Sequence, residues 1–202
     1  MNNNVAGTYS MHGIIFGSSG TSVRTISGNT LRLFDSGGTD PYIENASSAT
    51  HVLNLNIEGD GDATDPLIIR INSSGGLTFG GTINNQGSTV NVEGTTSSSA
   101  TVTMNGVISG SGGLYKANAN TTLVLAGNNL YSGQTTIDGG TISITNANSL
   151  GTGTLQIGIA GAYSRLLVNS TPLVPKPWPS ETAPPTQSLR WLPDRRSPIA
   201  VP

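Results

Sequence analysis

The sequence contains no cysteine, so neither a disulfide nor a thiolate metal site can hold the chain together. It is also short of charge: 10% of its 202 residues are Asp, Glu, Lys or Arg, against about a quarter in an ordinary globular domain. A formal net charge of −2 is too small to point to a nucleic-acid or anionic-membrane partner. Apolar runs approaching the roughly 20 residues of a membrane span are missing, which excludes direct membrane insertion through a helix. The opening Met1–Gly7 has neither the basic nor the apolar region of a signal peptide. Aromatics make up 5%, and no stretch carries a helical stripe of apolar residues.

In place of charge there are 27 glycines and many Thr, Ser and Asn residues. β-Branched Thr suits strands, and Gly and Asn tolerate the left-handed angles of tight turns. Short apolar-x-apolar strands recur at Leu31/Leu33, Leu53/Leu55/Ile57, Leu77/Phe79, Val102/Met104, Leu123/Leu125 and Ile142/Ile144. Their first members are 22, 24, 25, 21 and 19 residues apart. Three copies extend to a glycine, at Gly81, Gly106 and Gly127. Secondary strands lie between them, at Leu67–Ile71, Thr89–Val92, Leu114–Lys116 and Leu155–Ile157. A period of two gives each strand one apolar and one polar face. An antiparallel sandwich and a parallel solenoid both use such strands, but similarity at 20–25 residues favours coils that stack like on like.

Residues Ile108–Ile144 carry a longer pattern. It comprises Gly110, Gly112, Leu114 and Lys116, then Leu123, Leu125 and Gly127, then Asn129, Tyr131, Gly133, Thr135, Thr136, Ile137, Gly140, Thr141 and Ile142. This resembles the autotransporter-associated β-strand repeat of bacterial surface proteins. Asn118 and Asn120 stand where that family favours Gly, and Leu130 replaces a usual Thr. The resemblance implies an all-β fold, a right-handed parallel β-helix of about six to seven coils over residues 1–170. It also implies a cell-surface, outer-membrane or secreted parent protein, of which this chain is a piece flanked by neighbouring coils. It carries no catalytic residue over. Tyr131 is expected to cap the core or stack on a neighbour rather than bind a ligand.

Candidate chemistry is sparse. His12 and His51 have no nucleophile motif beside them and are expected to be exposed on a polar strand face or turn. Glu58, Glu93 and Asp138 are isolated, whereas polysaccharide-cleaving β-helices need clustered carboxylates. A carbohydrate-active protein, binding or cleaving polysaccharide, is therefore the alternative to a non-catalytic, adhesive passenger or stalk. Asp60, Asp62 and Asp65 lie on one Gly-containing loop and form the single candidate Ca²⁺ site, though EF-hand length and β-roll nonapeptides are both missing. Thr101/Thr103 and Thr152/Thr154 are too scattered for ice binding. Host-surface or carbohydrate ligands remain as partners, without a residue signature.

Composition changes near Thr171. Nine of the 11 prolines and both tryptophans fall in residues 171–202, which contain no glycine. Proline withholds ladder donors, so this tail cannot continue a solenoid and is expected to be polyproline-like or disordered. It reads either as a linker or recognition segment, or as translation in a shifted frame.

Overall fold

The structure, a computed structural model, describes residues 7–18, 21–94, 99–118, 120–158 and 163–169, with the backbone of a short strand at Asn2–Asn3. The Pro-rich tail lies outside the described residues. The first coil holds β1 (Asn2–Asn3), β2 (Tyr9–Met11) and β3 (Gly13–Phe16). The second holds β4 (Thr25–Gly28), β5 (Leu31–Leu33) and β6 (Tyr42–Asn45). β7 (His51–Asn54), β8 (Ile57–Glu58) and β9 (Leu67–Ile71) form the third. β10 (Leu77–Phe79), β11 (Ile83–Asn84) and β12 (Val90–Gly94) form the fourth, and β13 (Ala100–Met104), β14 (Ile108–Ser109) and β15 (Leu114–Lys116) the fifth. The sixth has only β16 (Thr121–Leu125) and β17 (Thr135–Ile137), the seventh only β18 (Gly140–Ile144) and β19 (Leu155–Ile157). β20 (Ser164–Val168) lies on β18. Among the described residues there is no helix, and so none long and apolar enough to cross a membrane.

Every third strand in the early coils pairs in parallel with its counterpart, which gives three long sheets around one core, a β-solenoid of about six turns. Sheet 1 runs β1-β4-β7-β10-β13-β16-β18-β20, sheet 2 runs β2-β5-β8-β11-β14, and sheet 3 runs β3-β6-β9-β12-β15-β17-β19. The antiparallel sandwich is thereby excluded. Inward side chains form rungs spaced about 4.8 Å apart. In sheet 1, Leu77, Val102, Leu123 and Ile142 make one column, and Leu53, Phe79, Met104, Leu125 and Ile144 the next. In sheet 3, Ile43, Ile69, Val92, Lys116 and Ile137 share a column. Each fully buried Leu or Ile contributes about 1.5–3 kcal/mol of transfer free energy, so the narrow core is held by many aliphatic side chains and few rings.

Two sequence registers need correction. Leu31 and Leu33 do not align with Leu53: they lie in sheet 2, beneath Ile57, and the sheet 1 counterpart of Leu53 is Ile26. Leu53 also pairs with Phe79 rather than Leu77, whose partner is His51. The reason is geometric. An inward-outward-inward tripeptide looks the same in any of the three sheets, and only the corners distinguish them.

Coil length is not constant. From Ile26 to Leu53, Phe79, Met104, Leu125 and Ile144 the steps are 27, 26, 25, 21 and 19 residues. The shortening coincides with the loss of sheet 2, whose last strand is β14.

Candidate functional site

The patterned residues between Gly110 and Ile142 lie where the coils shorten, and they have structural tasks there. Successive sheet 2 strands take their ladder bonds from the coil above: Ile57 N–H donates to Thr82 O at 2.8 Å, and Ile83 N–H to Val107 O at 2.9 Å. Ile108 has no strand above it. Its N–H donates instead to Asn129 Oδ1 at 2.8 Å, while Asn129 Nδ2 donates to Ser149 O at 2.6 Å. A buried asparagine side chain therefore stands in for the backbone of a missing strand and ties three coils together. Tyr131 is fully buried, and its N–H donates to the Ile108 carbonyl of the last sheet 2 strand at 3.2 Å. Thr135 Oγ1 donates to Leu150 O at 3.3 Å, so the Tyr131 hydroxyl, 2.6 Å away, is the donor to Thr135. Burial pushes the Tyr131 phenol up to about 12, and it keeps its proton. Leu130, beside it, is exposed.

Two glycine columns mark the corners. A Cβ on Gly106 would meet the Gly81 carbonyl oxygen, and one on Gly127 the Gly106 oxygen. At the second corner, Gly112 lies against Ser88 O, Gly133 against Gly112 and Gly153 against Gly133 O. Gly110 and Gly140 have φ of +110° and +74° and are also crowded by backbone, so both angle and space demand glycine. Leu114, Leu123 and Leu125 are core, and the side chains of Thr136 and Thr141 are buried.

Lys116 is the unexpected member. It occupies a core column between Val92 and Ile137 and is fully buried. Its Nζ donates to the carbonyls of Ala117 and Asn118 (2.9 Å) in the corner after β15, and of Gly139 (3.3 Å) in the corner after β17 one coil on. Burial lowers its pKa to about 8. Asn118, at φ +72°, donates through Nδ2 to Gly94 O, which fixes that corner.

At the corner between sheets 2 and 3, the structure brings Asp60 and Asp65 together with Asp35, one coil earlier, their oxygens within 4.8 Å. Asp62 is turned away: its Oδ1 accepts from the Thr64 N–H at 2.9 Å and hydroxyl at 2.8 Å, which lowers its pKa. Partial burial, then the Asp62, Asp35 and Asp60 carboxylates, raise that of Asp65. Asp60 already accepts from the Asp35 N–H, the Asp62 N–H and Ser88 Oγ. Three carboxylates fall short of the six to eight oxygens that calcium takes, and the corner by itself carries no metal assignment.

His51 is not exposed. It is fully buried, stacked on Phe16 with ring centroids 4.3 Å apart, and inward-facing beneath Leu77. Ser47 Oγ lies 2.6 Å from its Nε2, and Asn45 Oδ1 is 3.0 Å from Ser47 Oγ, which gives a serine–histidine–asparagine string. It is no hydrolytic triad. Arg24 N–H donates to His51 Nδ1 at 3.0 Å, so the neutral ring carries its proton on Nε2 and cannot accept one from Ser47. Ser47 is also inaccessible. His12 is half-buried, edge-on to Tyr42 and 3.2 Å from Phe34 O through Nδ1.

Among the described residues, the outward carboxylates Glu44, Glu93 and Asp138 of sheet 3 and its following corner are already engaged. On sheet 3, Arg70 bridges Glu44 (3.7 Å) and Glu93 (2.7 Å), and Tyr115 donates to Asp138 Oδ2 at 2.6 Å. Sheet 1 aligns Thr101/Thr103 with Thr122/Val124 and Thr141/Ser143, a closer register than the sequence shows. Thr141 and Ser143 are buried, however, so no long exposed Thr-x-Thr array results. Comparison with family models, curated proteins and solved structures finds no match.

Proposed function

We propose that the chain is a non-catalytic structural segment of a bacterial exported or surface protein, a passenger or stalk region that serves adhesion. The observation that carries this reading is the consumption of the repeat residues, Gly110 to Thr141, in corners, rungs and carbonyl contacts. The likeness of residues 108–144 to the autotransporter-associated repeat supports a cell-surface, outer-membrane or secreted parent, with further coils as neighbours and host-surface or carbohydrate ligands as partners. The engaged carboxylates on sheet 3 weigh against the carbohydrate-active alternative.

The test places this chain between a secretion signal and an outer-membrane translocator. The expected result is surface display of a folded segment without turnover when the purified protein is incubated with pectin or alginate. Robust release of unsaturated or reducing ends would overturn the proposal.

A further inference from the structure

The buried imidazole of His51 has no part in the proposed function, yet it joins three successive corners between sheets 3 and 1. Below it, Phe16 stacks on the ring and Arg24 N–H donates to Nδ1. Beside it, Ser47 Oγ contacts Nε2, and Asn45 fixes Ser47 through Oδ1. Above, Asn45 Nδ2 donates to Gly76 O at 2.8 Å. The neutral ring satisfies both neighbours through Nδ1 as acceptor and Nε2–H as donor.

We propose that His51 is an acid-operated latch: protonation at Nδ1 breaks the bond from Arg24 N–H and releases the first coils, residues 9–34, from the rest of the solenoid. Two donors would then face each other across a buried 3.0 Å contact, with the new charge inside the core. Among the described residues the charged group acting on the ring is Arg24, which repels a second positive charge; Phe16, Asn45, Ser47 and Leu77 are uncharged. Burial, then Arg24, hold the pKa of His51 below its ordinary 6.5. The open form binds the proton more readily, so the closed form is favoured above pH 6.5 and loses ground as pH falls through and below that value.

Hydrogen exchange followed by mass spectrometry between pH 7.5 and 4.5, corrected for intrinsic rates, tests the latch on the full chain. Protection of Tyr9–Phe16 and Thr25–Gly28 is expected to fall by up to about tenfold per pH unit below 6.5, while Ala100–Ile144 stays protected. His51→Asn offers an amide oxygen to Arg24 and does not titrate, so its N-terminal protection is expected to be flat across this range. Equal acid sensitivity in both proteins, or none in the wild type, would overturn the latch. Should His51→Asn not fold, the ¹⁵N spectrum of the wild-type ring decides: Nδ1 unprotonated at pH 7, with protonation coinciding with the loss of protection, is expected. A ring already charged at pH 7 in the protected state contradicts it.

Discussion

The polar residues that matter most are buried in roles that polarity alone does not announce. Asn129→Ala removes the acceptor of Ile108 N–H and the donor to Ser149 O, with an expected loss of about 2–4 kcal/mol in urea-unfolding free energy. A Tyr131→Phe variant, which loses one hydroxyl bond but keeps the ring, is expected to lose only about 1 kcal/mol in the same measurement. Lys116 gives a pH signature. Its folded pKa of about 8 lies below the ordinary 10.5, so the unfolded chain binds more protons between the two values and stability rises as pH increases from 8 to 10.5. The expected gain is up to about 3 kcal/mol and is absent in Lys116→Met; a Tm that falls identically in both proteins over that range would contradict it. His51 was legible in one respect: it shares parity with Leu53 and Leu55, which marks it as inward. Its polarity and its place beside Thr50 argue the other way from sequence. The exchange of Asp62 for Asp35 was not legible, because neighbours in a solenoid are one coil apart rather than a few residues apart.

Among the elements, corners rather than strands decide the register. Gly106→Ala drives a methyl into the Gly81 carbonyl, and no side-chain movement relieves it. Gly17 has open space around the same position and no positive φ. Gly106→Ala is therefore expected to lower the unfolding free energy by more than about 2 kcal/mol and Gly17→Ala by less than about 0.5, with comparable losses in both contradicting the stacked-corner account. The glycines that follow Phe79, Met104 and Leu125 were visible as a repeat extension, and the columns they form confirm that register. The misplacement of Leu31 and Leu33 arose where no glycine accompanies the strand. Sheet 2 vanishes where coils shorten to 21 and 19 residues, and the asparagine that replaces it was visible only as one letter of a motif.

For the whole molecule, alternation and the coil-length repeat were enough to reach a parallel solenoid with one aliphatic core. The functional reading depends on that stacking, since the repeat residues have structural roles only if each coil lies in register on the one before. The absence of cysteine makes this directly measurable, because an introduced pair is the sole source of a disulfide. Thr78 and Thr103 are register partners on the outer face of sheet 1, while Thr101 lies two residues from the partner position. Paired strands are about 4.8 Å apart, inside the Cα range of a disulfide, and a two-residue offset lies outside it. Mild oxidation of the folded double variants is expected to crosslink Thr78→Cys/Thr103→Cys and to leave Thr78→Cys/Thr101→Cys reduced. Preferential closure of the offset pair, or no closure of either, would contradict the in-register solenoid on which the account rests.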